Sequence, residues 1–152
     1  MSIVIDANAL VVLALDEERA GWVEPLLREW EEQGEDLHAP ALLRFEIASA
    51  LVQTVTAGQL QESDVEDAWR RISAVPLTLH ELEDAPAVIT MARRLKRKSA
   101  YDASYIVLAE ELDTKLWTLD GPLARNGEAQ GLPVKLIEPP EATTDVDSSE
   151  DQ

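Results

Sequence analysis

The chain has 152 residues, which is enough for one domain with its own core and too few for two. Its composition, 45% hydrophobic and 28% charged, is typical of a folded domain and excludes collagen-like and wholly disordered chains. Thirty Asp and Glu against thirteen Lys and Arg give a net charge of −17, so the molecule as a whole is expected to repel nucleic acid and anionic membranes.

The chain contains no cysteine, which excludes disulfides, cysteine-ligated zinc and a thiol nucleophile. Its longest strongly apolar stretch, Ala9 to Leu15, is far shorter than the ~20 residues that a membrane span needs. The first residues lack the basic flank of a signal peptide. These features predict a cytoplasmic protein that does not enter the membrane.

Apolar runs alternate with segments of helical periodicity along the chain. In chain order the predicted elements are strand Met1–Ile5, helices Ala7–Leu15 and Glu17–Gln33, strand Asp36–Ala39, helices Ala41–Ala57 and Glu62–Val75, a strand around Leu77 and Leu79, helices Asp84–Lys98 and Tyr101–Leu112, strand Lys115–Leu119, a short helix after Asp120, and strand Val134–Ile137. Because parallel strands need crossover connections, this alternation predicts an α/β fold with a mostly parallel sheet and helices on both faces.

The composition changes at Glu138, where two prolines are followed by threonines, serines and acids. We predict one domain over residues 1–138 and a disordered acidic tail over residues 139–152. Five of the net negative charges lie in this tail, so the domain itself carries about −12.

Four acids lie where surface acids are not expected. Asp6 and Asp120 each follow a hydrophobic strand at its carboxyl end, which is the edge where open α/β sheets place their ligand sites. Glu46 and Asp102 are aligned with the apolar stripes of their helices, so their side chains are expected to point inward.

Three of these acids also have an ordinary structural explanation. Asp6 and Asp120 suit the N-caps of the helices that follow, and Asp102 lies in a first helical turn, where the helix dipole favours an acid. Glu46 is harder to explain in this way, since glutamate is almost never buried without a partner. Four carboxylates in one pocket would raise one another's pKa or bind a cation. Oxygen-only ligands suit Mg²⁺ or Mn²⁺, and such a cluster fits metal-assisted phosphodiester hydrolysis.

The segments around these acids read Ile3–Leu10 (IVIDANAL), Arg44–Leu51 (RFEIASAL), Ser99–Tyr105 (SAYDASY) and Leu116–Ala124 (LWTLDGPLA). In order and spacing they resemble the signature segments of PIN-domain ribonucleases, and most of all those of the VapC toxins of toxin–antitoxin pairs. The resemblance spans about residues 2 to 137. It implies a PIN-like three-layer α/β/α sandwich whose central, mostly parallel sheet has about five strands.

The resemblance also implies an activity and partners. The implied activity is that of an endoribonuclease that depends on Mg²⁺ or Mn²⁺. The implied partners are an RNA substrate, a second copy of the chain in a homodimer, and a small cognate antitoxin protein. The matching positions imply that Asp6, Glu46, Asp102 and Asp120 are catalytic and bind the metal. Asn8 and Thr118 match polar positions that would orient the carboxylates or a metal-bound water.

Five of the thirteen basic residues lie within six positions and form what we call the basic cluster: Arg93, Arg94, Lys96, Arg97 and Lys98. A helix C-terminus favours cations, which explains two or three of these charges better than five. Because the basic cluster ends just before Asp102, we predict that it contacts RNA phosphates, which arginine can bind with two hydrogen bonds.

The other conspicuous residues are assigned to structure. His38 and His80 have no spacing that predicts a catalytic triad. The four tryptophans lie on apolar stripes or in an apolar strand, so they are predicted to pack in the core rather than stack on bases.

Two functions without nuclease activity are alternatives. A receiver-like signalling domain is also α/β with acids at strand ends, but it carries adjacent acids after the first strand, where this chain has Asp6 alone. A PIN fold that has lost catalysis would act as a binding module, and the complete set of four acids argues against it.

Overall fold

In a computed structural model, which describes residues 1–142, five parallel strands form one central sheet. The strands are β1 (Ser2–Ile5), β2 (Asp36–Pro40), β3 (Thr78–His80), β4 (Leu116–Thr118) and β5 (Val134–Leu136). Their order across the sheet is β3-β2-β1-β4-β5, and every neighbouring pair is parallel. Strands β2 and β3 therefore lie on one side of β1, and β4 and β5 lie on the other. The boundary between β1 and β4 is the topological switch point.

Helices connect all of the strands. They are α1 (Ala7–Leu15), α2 (Glu17–Glu32), α3 (Leu43–Thr56), α4 (Val65–Ser73), α5 (Ala85–Arg94), α6 (Tyr101–Glu111) and α7 (Gly121–Ala129), with a 3-10 turn at Glu62–Asp64. The arrangement is a three-layer α/β/α sandwich, which confirms the predicted fold class. No helix within residues 1–142 is both long enough and apolar enough to cross a lipid bilayer.

The core lies around the middle of the sheet. Val4 and Ile5 on the central strand β1 and Leu116 on its neighbour β4 have no exposed surface. Helix α6 is buried along most of its length and packs on β1, β2 and β4. The rings of Trp30 and Trp117 meet edge to face with their centroids 5.2 Å apart. The other two tryptophans also pack against the core, so the prediction that all four are structural is confirmed.

Helix α5 ends four residues earlier than predicted, at Arg94 rather than Lys98. Lys96 adopts a left-handed backbone conformation with φ of 57°, and the Arg97 N–H donates to the Ala92 carbonyl at 3.0 Å. This is the geometry of a helix C-terminus that usually carries glycine, and its formation at a lysine is the reason the sequence pattern missed it. The basic cluster is therefore divided between the end of a helix and the loop that follows.

Two other predicted helices also begin differently, and the remaining helix boundaries lie within two residues of the prediction. The Ala41 N–H donates to the His80 carbonyl at 2.8 Å, which continues the ladder between β2 and β3 past Pro40. This bond delays the start of α3 to Leu43, two residues after the predicted start. The predicted helix Glu62–Val75 is divided into the 3-10 turn and α4.

The predicted boundary at residue 138 remains a prediction. Residues 139–142 are exposed and form neither helix nor strand. The rest of the predicted acidic tail, residues 143–152, lies outside the described residues.

One close contact between a helix and a strand gives a test of the packing. A Cβ atom added at Gly127 of α7 would lie 2.7 Å from Cγ2 of Val134 on β5, whereas one added at Gly21 of α2 would meet nothing within 4 Å. We expect Gly127→Ala to lower the free energy of unfolding by about 1–3 kcal/mol, because a branched side chain blocks the new methyl group. Gly21→Ala should raise it by about 0.5–1 kcal/mol, as alanine does in exposed helices. Urea unfolding measures both, and a stabilised Gly127→Ala protein would contradict this description of the α7–β5 contact.

Candidate active site

The four predicted acids, which we call the acid cluster (Asp6, Glu46, Asp102 and Asp120), come from four different segments of the chain. Asp6 directly follows β1, and Asp120 follows β4 by two residues, so both lie at the switch point. The Asp6 N–H donates to the Trp117 carbonyl at 3.0 Å, which joins the two strand ends. Glu46 lies in the first turn of α3 and Asp102 in the first turn of α6.

A network of hydrogen bonds orients the Asp6 carboxylate. The Thr118 hydroxyl donates to Asp6 Oδ2 at 2.8 Å, and the Asn8 amide donates to the same oxygen at 3.3 Å and to Thr118 Oγ1 at 3.1 Å. The backbone N–H groups of Leu119 and Asp120 donate in turn to Asn8 Oδ1 and Thr118 Oγ1, each at 3.1 Å. Asp6 and Thr118 are both buried. The two predicted orienting residues therefore tie Asp6 to the end of the neighbouring strand.

The N-cap explanation holds for one strand-end acid and not for the other. Asp120 Oδ1 accepts a hydrogen bond from the Leu123 N–H at 3.0 Å, which caps α7. Asp6 occupies the N-cap position of α1, but within the described residues its side chain caps no backbone N–H group of that helix. Its carboxylate is held by Thr118 and Asn8 instead, so helix capping does not account for its burial.

Glu46 has a buried partner that the sequence reasoning missed. The Tyr105 hydroxyl on α6 donates to Glu46 Oε1 at 2.7 Å, and only 1% of Tyr105 is exposed. Burial raises the pKa of Tyr105, and the carboxylates of Asp6 and Glu46 raise it further, so the hydroxyl keeps its proton and remains a donor. The sequence could have predicted that Tyr105 faces the acid cluster. Tyr105 follows Asp102 by three residues and therefore lies on the same face of the helix.

Asp102 pairs with a member of the basic cluster. Arg97 Nη1 lies 3.6 Å from Asp102 Oδ2, and about a third of each side chain is exposed. Arg97 therefore brings one positive charge to the edge of the acid cluster. Because both side chains are reached by water, the ion pair itself contributes little to stability.

The carboxylates of the acid cluster act on one another electrostatically. Burial raises the pKa of Asp6 to about 7, and repulsion from Glu46 and Asp102 adds to this effect, although the hydrogen bond from Thr118 opposes it. Burial also raises the pKa of Glu46 and of Asp102. The Tyr105 hydrogen bond opposes the increase at Glu46, and Arg97 opposes the increase at Asp102. Repulsion from Asp120 also raises the pKa of Asp102, so each of the four acids has an electrostatic effect on, or from, another member of the acid cluster.

The donor set fits a hard divalent cation by its chemistry. It consists of carboxylate oxygens that repel one another, the arrangement that a cation such as Mg²⁺ or Mn²⁺ relieves. Within residues 1–142, no three Asp, Glu or His side chains are grouped so that they could already enclose a metal ion. An ion that keeps several of its own waters needs only one or two direct carboxylate ligands, so the loose grouping is compatible with it.

The basic cluster extends from the acid cluster along the surface. Arg97 contacts the acid cluster, whereas Arg94 donates to the side-chain and backbone oxygens of Gln130 at 3.1 and 2.9 Å and so joins α5 to the end of α7. The other three members, Arg93, Lys96 and Lys98, are exposed.

The two histidines pair with each other on neighbouring strands. His38 Nδ1 on β2 and His80 Nε2 on β3 are 2.8 Å apart. Burial, followed by the neighbouring His80, lowers the pKa of His38, which favours its neutral ring. Their hydrogen-bonded pairing joins the two strands and gives the histidines a structural role.

Comparison with known proteins identifies the family. The family model of the PIN domain matches residues 3–129. The chain belongs to the PIN domain family. Among curated relatives of this PIN domain, Ribonuclease VapC3 of Pyrobaculum aerophilum is 33% identical over 131 residues, which cover 82% of this chain and 93% of the relative. VapC ribonuclease Mb0985 of Mycobacterium bovis is 34% identical over 138 residues, covering 89% and 98%.

A solved structure agrees with the fold of this PIN domain. The crystal structure of PAE2754 from Pyrobaculum aerophilum superposes with a TM-score of 0.63 at 22% sequence identity, covering 83% of this chain and 79% of the other. The family resemblance seen in the four sequence segments is thus confirmed by a family model, by relatives and by the fold.

The burial of Asp6 predicts how stability depends on pH. Because the pKa of Asp6 is higher in the folded protein than in the unfolded chain, the folded state binds more protons between about pH 4 and pH 7, and stability should fall as the pH rises through this range. The Asp6→Asn variant lacks this titration. Urea unfolding in EDTA should show that wild type loses up to roughly 4 kcal/mol relative to the variant across that range. The exposed Asp64→Asn change is the control, and parallel curves for wild type and Asp6→Asn would contradict the assigned pKa.

Proposed function

We propose that this PIN domain is a divalent-metal-dependent endoribonuclease that hydrolyses phosphodiester bonds in RNA. The observation that carries the proposal is the acid cluster at the switch point, with its central carboxylate, Asp6, buried and oriented by Thr118. Carboxylates that repel one another destabilise the fold, and apart from the cap that Asp120 provides for α7 the acid cluster has no evident structural purpose. The names of the two relatives, which are both called ribonucleases, support RNA as the substrate.

Asp6, Glu46, Asp102 and Asp120 are the residues that would hold Mg²⁺ or Mn²⁺. When bound, such an ion supplies positive charge that polarises the phosphate and stabilises the departing oxygen. The protein's own contribution is to keep its carboxylates in place. Asn8 and Thr118 fix Asp6 through Oδ2, and this leaves Oδ1 outside that hydrogen-bond network.

The raised pKa values have two consequences for the chemistry. Protons compete with a cation for Asp6 near neutral pH, so binding of the cation and release of the proton are linked. Glu46 and Asp102, whose pKa values are raised by burial, are suited to accept the proton that the attacking water gives up. The Tyr105 hydroxyl keeps Glu46 in position without accepting that proton itself.

The basic cluster would hold the phosphates that flank the cleaved bond. Arg97 lies against Asp102 and the exposed Lys98 is the next residue, so these positive charges adjoin the acid cluster. Phosphate contacts of this kind position a nucleic acid without reading its sequence.

The biological setting belongs to the same proposal. We infer that the protein is the toxin of a VapBC-type pair, that it acts in the cytoplasm on RNA, that it forms a homodimer and that a small cognate antitoxin inhibits it. This part rests on the resemblance of the four sequence segments to VapC toxins and on the VapC names of the relatives.

The nuclease proposal is tested by incubating purified protein with total RNA in Mn²⁺ or in EDTA and mapping the cleaved ends. Mn²⁺ should support cleavage and EDTA should abolish it. Asp6→Asn and Asp102→Asn should each slow cleavage by more than about a hundredfold, because each removes a carboxylate that the reaction needs. Mn²⁺ should also raise the melting temperature of wild type, and by less in Asp102→Asn. Asp64→Asn, an exposed change at the end of the 3-10 turn, is the matched control, and full activity in both site variants would exclude this function.

The role of the basic cluster has a separate readout in the salt dependence of binding. Lys98→Ala should weaken binding of single-stranded RNA in EDTA and reduce the slope of log affinity against log salt by about 1, because one fewer counterion is released. Arg70→Ala on α4 makes the same change in net charge at an exposed site that pairs with Glu66, and it should leave the slope unchanged. Equal slopes for wild type and Lys98→Ala would remove Lys98 from the RNA contact.

A further inference from the structure

A cavity lies beside the acid cluster, and the hydrolytic reaction described above does not use it. Its volume is about 510 Å³, and it lies between the ends of β2 and β3, the starts of α3 and α5, and one side of α6 from Tyr101 to Glu111. Its walls are largely apolar, with contributions from Val88, Val107 and Leu108. This volume falls within the range of sites that bind small organic groups.

Two exposed aromatic side chains stand in this cavity wall next to the acid cluster. Phe45 is 79% exposed and Tyr101 is 59% exposed. Phe45 directly precedes Glu46 and Tyr101 directly precedes Asp102, so each aromatic residue is the chain neighbour of a cluster member. Leu82, also in the wall, is 64% exposed. Large apolar side chains exposed together at one cavity indicate a binding surface.

The charges around the cavity select the part of a nucleotide that it can hold. Four acids lie among its lining residues: Glu81, Glu83, Asp84 and Glu111. They would repel a phosphate, and the basic residues nearest to the acid cluster, Arg97 and Lys98, are not among the lining residues. An uncharged, flat and apolar group fits such a cavity, whereas the anionic backbone fits the basic side.

We propose that this cavity binds one nucleobase of a single-stranded RNA, the base adjacent to the phosphate that is cleaved, by stacking on Phe45 and Tyr101. The proposal rests on the proposed ribonuclease function and adds to it a subsite for substrate positioning. Aromatic side chains stack on unpaired bases with little dependence on sequence, and removal of one such contact weakens binding by roughly 5- to 100-fold.

The same charges argue against a protein occupant. A protein surface that covered the aromatic residues would also remove water from the four carboxylates at the cavity, and the loss of their hydration is costly unless each is paired. A single base enters the cavity from one side and leaves those carboxylates in water.

The binding experiment uses short single-stranded oligoribonucleotides that carry 2-aminopurine, whose fluorescence is quenched by stacking. Measurements are made in EDTA, so that cleavage does not interfere. Wild-type protein should quench the probe when it binds, and Phe45→Ala and Tyr101→Ala should each lose most of the quenching and bind about 5- to 100-fold more weakly. The conservative variants Phe45→Trp and Tyr101→Phe keep an aromatic face and should retain both properties. Val52→Ala, an exposed apolar change on α3 outside the cavity, is the matched control.

Cleavage kinetics in Mn²⁺ provide the second readout. Phe45→Ala and Tyr101→Ala should raise KM and leave kcat within about twofold, because stacking positions the strand in the bound state as well as in the transition state. Melting temperatures and gel filtration of each variant verify that it is folded and report its oligomeric state.

The possible outcomes separate this proposal from the proposed function. Quenching and KM that do not change in the alanine variants overturn the base subsite even if RNA is cleaved by wild type. Dissociation of a dimer by Phe45→Ala with an unchanged KM shows instead that the cavity face binds a second copy. Wild-type protein that cleaves no RNA refutes the ribonuclease function, and quenching in EDTA that depends on Phe45 would still support a base-binding cavity.

Discussion

The buried carboxylate of Asp6 is the constraint on which the site depends. Water would solvate this charge far better than the protein does, and burial raises its pKa to about 7. The hydrogen bonds from Thr118 and Asn8 offset part of that loss, and the one from Thr118 forms only because β1 and β4 lie side by side with Ile5 opposite Trp117. The strand order of the whole sheet therefore holds one unfavourable charge at one place. A reaction that needs a bound cation can use a negative charge held in this way.

The positions of the charges indicate more about the substrate of this protein than its net charge does. The acid cluster concentrates negative charge at the switch point, and Arg97 brings part of the basic cluster against it. Opposite local fields at neighbouring positions can guide a phosphate backbone and gather cations, although the sum over the chain remains strongly negative. The cavity beside Phe45 and Tyr101 adds an apolar surface to these two charged ones. Each of the three surfaces suits a different part of a bound nucleotide.

The sequence predicted most elements because hydrophobic periodicity records which faces are buried, and it failed where one backbone conformation or one backbone hydrogen bond decided the outcome. Helix α5 ends at Arg94 because Lys96 adopts a left-handed backbone conformation, which a lysine in the sequence does not predict. Helix α3 starts late because Ala41 first extends the strand ladder. Asp120 shows that two interpretations can hold at once, since it caps a helix and belongs to the acid cluster.

By itself the sequence determined the fold class and the family, and it proposed the four acids as candidate site residues, because strand-end and stripe positions follow from local patterns and from four ordered segments. Only the tertiary structure decided how those acids are held. The Tyr105 contact joins residues 59 positions apart, and the Thr118 contact joins residues 112 apart. Contacts at such separations are set by the packing of helices and strands rather than by neighbouring residues. The same packing left Phe45 and Tyr101 exposed beside the acid cluster.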